Sequence, residues 1–182
     1  MSAVDSSKSV GSSGFEGREA MLGQAVALAI RTLKDAMPYQ HEMNDALVKM
    51  HLNSVQFAKN KGLSQQYVAH DVETMRASLE WARDEIALSG NRELALAAMF
   101  EQAAPQYQLF LDLEVEPGRR RFTFPYSHVL AVARRIGQFD MSDEEVHDIW
   151  LKPRLLGYAA ILGVTVDISA IDTDNKVTVT LV

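Results

Sequence analysis

The chain contains no cysteine, which excludes disulfides, thiolate metal sites and cysteine nucleophiles together. No cationic segment followed by an apolar core stands near the N-terminus, so no secretory leader is expected and the cytoplasm is the expected location. Long apolar runs are missing as well. The longest nearly uncharged stretch near the N-terminus, Met21 to Ile30, falls short of the roughly 20 residues that span a bilayer. Only Arg31 and Lys34 are cationic in the helix that contains it, too few to hold an anionic membrane surface, and no membrane contact is expected. No nucleotide-binding loop, metal-ligand framework or nucleophile signature is present. Gly11, Gly14 and Gly17 have no strand before them and read as part of a flexible tail. The last absence is local: between Pro117 and Phe139 there is no acidic residue and there are five arginines, although the whole chain carries a net charge of −6.

With 47% hydrophobic and 23% charged residues in 182, the composition is globular rather than disordered. A chain of this size loses about 70% of its unfolded surface on folding, enough for a core without staples. Residues 1–15, rich in Ser and Gly, are expected to be a tail, and 16–182 one α+β domain. Apolar residues three and four apart predict four helices in succession. The first carries Leu22, Val26, Ala29, Ile30, Leu33 and Met37 toward a core and stops at Pro38. The second, from about Tyr39 to Asn60, presents Met43, Leu47, Met50, Ser54 and Phe57 on one side and is closed by Gly62. In the third, Val68, Val72, Met75, Leu79, Ala82 and Ile86 form a seam between a Ser64 cap and a Gly90 stop. The fourth, from Asn91 to about Ala104, is almost wholly apolar from Leu94 to Phe100 and is expected to be buried.

After Pro105 the period changes to two. Tyr107, Leu109, Leu111, Leu113 and Val115 alternate with polar residues, Glu116-Pro117-Gly118-Arg119 reads as a turn, and Arg120 to Phe124 returns as the partner strand. A helix follows Pro125, with Ser127 as its cap and Val129, Leu130, Val132, Ala133 and Ile136 as its apolar residues. Ser142 and Glu145 have capping-box spacing, Pro153 interrupts the helix they start, and Gly163 ends it. A second hairpin turns at Asp172 to Asn175. The two hairpins can join in one small antiparallel sheet.

The arginine hairpin is the candidate site. Guanidinium groups grip carboxylates and phosphates in a planar fork, so Arg119, Arg120 and Arg121, widened by Arg134 and Arg135, suit an acidic protein surface. With Phe122, Phe124 and Tyr126 as stacking rings they also suit single-stranded nucleic acid. The competing reading is a merely solvated or internally paired island, and for pairing the acidic run Asp140, Asp143, Glu144, Glu145 and Asp148 is at hand if the two segments fold back on each other. Chemistry is less well served. Glu144 and His147 have the spacing of half a di-iron carboxylate site, but the second Glu-x-x-His is missing. His41 and His51 are ten residues apart on one helix, too far for one metal, and neither the pair His70 and Asp71 nor the pair Ser127 and His128 makes a triad. No cofactor and no metal are expected.

The expected function is a non-enzymatic protein-interaction domain, such as an adaptor, chaperone-like protein, inhibitor or assembly subunit. It uses helix faces, among them the Met43, Met50 and Met75 faces, together with the arginine hairpin. Self-association of such faces is a further possibility. The alternatives are a single-strand nucleic-acid binder and a small enzyme of unstated reaction centred near His128 or the Asp143 to His147 turn.

Overall fold

Alternation replaces helical spacing after Pro105, and the first strand forms just past Leu113. The computed structural model describes residues 17–35, 38–102, 109–110 and 112–182. The expected tail, 1–15, lies outside them, as does most of the stretch that begins the first expected strand. The chain divides between Glu42 and Met43 into two units.

The first unit is built on α1 (Glu19–Asp35). Its run from Ala20 to Ile30 has no charge and is rich in Ala and Leu, strong helix formers. Glu19 accepts from the Gly17 N–H at 3.0 Å, and backbone hydrogen bonds hold its carboxyl below the usual range. Of the stripe expected to face a core, Leu22, Val26 and Ala29 are exposed, while Ile30, Leu33 and Met37 lie outside the residues whose side chains are described.

Helix α2 (Pro38–Asn60) carries the chain into the second unit. Its buried residues are Val48, Leu52, Val55 and Ala58, whereas Met50 and Phe57, on the stripe expected inside, are 69% and 61% exposed. Both stripes have helical spacing, so period alone does not choose between them. Helix α3 (Ser64–Ser89) buries Val68, Leu79, Ala82 and Ile86 and ends at Gly90, whose φ of 68° suits a residue without Cβ. The short α4 (Glu93–Ala97) runs on as a π-helical turn, Ala98–Gln102, that places Met99 and Phe100 in the core as expected.

Strands β1 (Glu114–Glu116) and β2 (Arg119–Thr123) turn on Pro117 and Gly118, the latter at φ 71°. The first strand is thus shorter than the alternation from Tyr107 implied; Leu109 and Phe110 are buried ahead of it. After the sheet's first hairpin come α5 (Ser127–Arg135) and α6 (Asp143–Val146). A π-helical turn, His147–Leu151, leads from α6 into α7 (Lys152–Leu162). The interruption expected at Pro153 takes this form: the proline lacks an N–H for the α-helical ladder, and the wider turn just before it absorbs the mismatch. The Ser142 cap is as read, its Oγ accepting from the Glu145 N–H at 3.1 Å.

Strands β3 (Val166–Ile168) and β4 (Lys176–Leu181) complete one antiparallel sheet of order β1-β2-β4-β3, so the two hairpins join through β2 and β4. The fold is α+β, with a helical layer followed by two hairpins that share a sheet. Phe122, Val177, Val179, Val166 and Ile168 face inward, where Phe100 and Phe110 pack on Phe122 at 5.4 and 4.2 Å between centroids. No helix among the described residues is long and apolar enough to cross a membrane.

Candidate functional site

Strand parity decides what the arginine hairpin is. Arg120 is paired with Val179 across β2 and β4, and its alternation puts it on the same side as Phe122, facing the core. It is 2% exposed. Its Nη1 bonds Glu93 Oε1 at 2.6 Å, its Nε bonds Glu101 Oε1 at 2.7 Å, and the Glu116 and Arg119 carbonyls accept at 3.0 and 2.9 Å. Burial pushes the Glu93 carboxyl up, but hydrogen bonds from the Gly118 N–H and from Arg120 outweigh it and hold Glu93 below the usual range. Arg120 is therefore a peg between the hairpin and α4.

The other island residues sort by the same geometry. Arg119 meets Glu116 at 3.1 Å, and Arg121 meets Asp172 at 3.0 Å with Glu114 and Asp174 beyond. Arg134 and Arg135 are exposed in the last turn of α5, where cations suit the helix dipole. Phe122, Phe124 and Tyr126 are at most 1% exposed, so the rings expected to stack on bases are core residues. Arg119, Arg120 and Arg121 are paired internally, but not by the acidic run that follows the island. Asp140 and Glu145 of that run bind Lys59 at 2.9 and 3.0 Å. Glu144 is held below the usual carboxylate range by backbone and Ser142 hydrogen bonds, with the Arg134 charge adding to them.

Ser127 and His147, two of the residues weighed for chemistry, are likewise in use. Ser127 is not the cap of α5; its Oγ donates to Asp143 Oδ2 at 2.6 Å and lies 3.0 Å from Asn175 Oδ1, joining three segments. His147 is buried between the Asp148 carboxylate at 2.8 Å and the Ser169 carbonyl at 3.0 Å. Among the described residues no group of His, Asp and Glu is arranged to hold a metal ion.

Two features that sequence reasoning passed over lie side by side instead. The first is a buried polar hub. Trp150, on the π-helical turn, donates its indole N–H to the Tyr126 hydroxyl at 2.8 Å. Indole nitrogen only donates, so the Tyr126 oxygen accepts from it, and the same oxygen lies 3.2 Å from His51 Nδ1. Burial, helped by the Arg154 charge, pushes His51 down to about 4, and burial pushes Tyr126 up to about 12. Beside them Arg154 Nε bonds Asp71 Oδ2 at 2.8 Å and the Tyr158 oxygen at 2.9 Å, while Tyr158 donates to Asp71 at 2.6 Å. The Arg154 guanidinium lies 4.9 Å over the Trp150 ring. The hub ties α2, α3, α5 and α7 together.

Comparison with protein families, with curated proteins and with solved structures finds no match to the chain. The site's geometry must carry the functional reading.

The second feature is an open groove of about 680 Å³ where α2 meets α3. It is lined by Asn53, Ser54, Phe57, Ala58, Leu63, Gln66 and Tyr67, none of them charged. Phe57 is 61% and Leu63 42% exposed. Tyr67, in its wall, stacks on Trp150 with centroids 4.8 Å and planes 17° apart, so the groove is backed directly by the hub. The sequence signal that borders the groove is the Met50, Ser54, Phe57 stripe on one side of α2.

Proposed function

We propose that this chain is a non-enzymatic, cytoplasmic protein-interaction domain that takes an apolar helix of a protein partner into the groove between α2 and α3. One observation carries the reading: an uncharged groove of about 680 Å³ in which Phe57 and Leu63 stand exposed above a wall formed by Tyr67. Helix-in-groove recognition needs an apolar channel with anchors at helical spacing, and Met50, Ser54 and Phe57 supply that spacing on one rim. An apolar partner face fits better than an acidic one, because the groove has no cation and Arg120 and Arg121 are already met by carboxylates of the same chain.

The hub gives the reading a readout. The chain has two tryptophans, and Trp81→Phe leaves Trp150 as the sole emitter. Titrating that variant with a synthetic amphipathic helix bearing a Leu, Ala and Met stripe is expected to shift Trp150 emission through Tyr67 and to saturate. The same titration of a Phe57→Glu chain is expected to give no shift. A peptide that leaves Trp150 unchanged at millimolar concentration, or that binds the Phe57→Glu chain equally well, would overturn the reading.

A further inference from the structure

We infer that the chain carries a second recognition surface, where α3 meets the π-helical turn Ala98–Gln102, and that it takes an arginine of a basic, apolar segment of another protein, stacked on Trp81 and paired with Glu85. A groove of about 330 Å³ lies there. Met75, Leu79, Trp81 and Ala82 of α3 line it together with Ala98 and Gln102 of the turn. Trp81 marks it as a surface for binding. Tryptophan is highly buried on average, yet Trp81 is 65% exposed, outside the buried seam Val68, Leu79, Ala82 and Ile86 of the same helix. Such rings are the usual anchors of protein contacts.

Charge selects the partner. Indole is the aromatic ring that attracts cations best, and among the described residues no cation lies over Trp81. Helical spacing sets a carboxylate beside it. Glu85 is four residues on from Trp81, and it continues by one turn the line of Ser78 and Ala82 along the groove. The two arginines of α3 are engaged elsewhere: Arg76 meets Glu73 at 2.8 Å and Glu80 at 3.5 Å, and Arg83 meets Asp84 at 2.9 Å and Glu80 at 3.9 Å. Among the described residues, no cation comes within ion-pair distance of Glu85. The net charge of −6 acts in the same sense, drawing a basic segment and repelling an acidic one.

Arginine fits this pair better than lysine does. Its planar guanidinium can lie flat on the indole while the N–H edge donates to a carboxylate. Side chains four apart on a helix are separated by roughly 5–6 Å at Cβ, a span that one guanidinium bridges. The hub holds the same combination within the chain, where the Arg154 guanidinium lies 4.9 Å over Trp150 and its Nε bonds Asp71 at 2.8 Å. The partner's apolar residues would fill the lining and reach Leu88, exposed two turns beyond Trp81. The surface is small, so the contact is transient.

The test is fluorescence anisotropy of a short labelled peptide with two leucines and a central arginine, titrated with the full chain. Saturable micromolar binding is expected, weakened at least about tenfold by Trp81→Ala and about fivefold by Glu85→Gln. The same peptide with citrulline, which keeps the shape of arginine without its charge, is expected to bind about tenfold more weakly. A Glu85→Arg chain should prefer the peptide with glutamate in place of arginine. Glu80→Gln, whose carboxylate faces Arg76 and Arg83, and Phe57→Glu, in the α2 and α3 groove, should leave binding nearly unchanged. All four positions are on the surface or half-buried, and far-ultraviolet spectra should match that of the wild type. No binding at millimolar concentration, or equal binding of the arginine and citrulline peptides, would overturn the inference. So would equal losses for Glu80→Gln and Glu85→Gln, which would mark attraction to the overall charge. Loss with Phe57→Glu but not with Trp81→Ala would overturn it too, and assign the peptide to the groove between α2 and α3.

Discussion

Tyr67 lies flat against Trp150, with ring planes 17° apart and centroids separated by 4.8 Å. The contact joins an exposed groove to a buried hydrogen-bond relay, because the other edge of Trp150 donates to Tyr126. Removing the ring should therefore be felt inside the protein. In a Trp81→Phe background, Tyr67→Ala is expected to red-shift Trp150 emission and to lower stability by about 2–4 kcal/mol, combining lost burial with the lost stack. Tyr67→Phe keeps the ring and should leave both nearly unchanged. Fluorescence and urea unfolding of the three chains check this.

The arginines of the hairpin should separate sharply by position. Arg120→Ala strips the partner from Glu93 and Glu101, whose side chains are 35% and 38% exposed and so partly keep their water. The loss is expected at about 2–4 kcal/mol, near the low end for breaking a buried pair. Arg119→Ala, which breaks one surface pair, should stay within about 0.5 kcal/mol. Equal effects in urea unfolding would mean that strand parity does not govern the hairpin.

That contrast shows what the sequence could and could not say. Arg120 and Phe122 share parity on β2 and Phe124 continues it just past the strand's end, so their common inward face is written in the alternation, although three consecutive arginines mask it. Element ends marked by local chemistry, at Gly90, at the Pro117 and Gly118 turn and at Ser142, were legible because a single residue type satisfies each constraint. The choice between the Val48, Leu52, Val55 stripe and the Met50, Ser54, Phe57 stripe was not, since both have the same period and only tertiary packing separates them. The Asp71 and Arg154 pair, brought together from α3 and α7, depends on packing in the same way. A hint existed in the lone arginine of α7 standing four residues before Tyr158 within an apolar run.

His51 sets an acid limit on the fold. Its folded value of about 4 lies below the ordinary 6.5, so the unfolded chain binds more protons between those values. Its contribution is complete above pH 6.5 and is lost as pH falls through the window toward 4, by up to about 3 kcal/mol. Protonation would set a buried cation near Arg154. The wild-type unfolding free energy is expected to decline from pH 6.5 to 4.5. A His51→Phe chain, less stable at neutral pH, should show a flat profile over that interval, and a parallel decline in both would place the titration elsewhere.

Helix α7 lies against α3 at Gly157, where a Cβ would stand 2.5 Å from Val72 Cγ2 and 3.2 Å from Cγ1. Real Cβ atoms do not approach so closely, and the β-branched valine has few rotamers in a helix with which to yield. Gly157→Ala would ordinarily stabilise a helix by up to about 1 kcal/mol. Here overpacking of about 1–3 kcal/mol offsets it, and a net loss of up to about 2 kcal/mol is expected. Val72→Ala removes both clashing methyls and alone costs stability through the space it leaves. The double variant is therefore expected to be more stable than the sum of the single losses predicts, by at least about 1 kcal/mol, because each change accommodates the other. Additive losses in a double-mutant cycle would show that α3 and α7 do not meet through this pair.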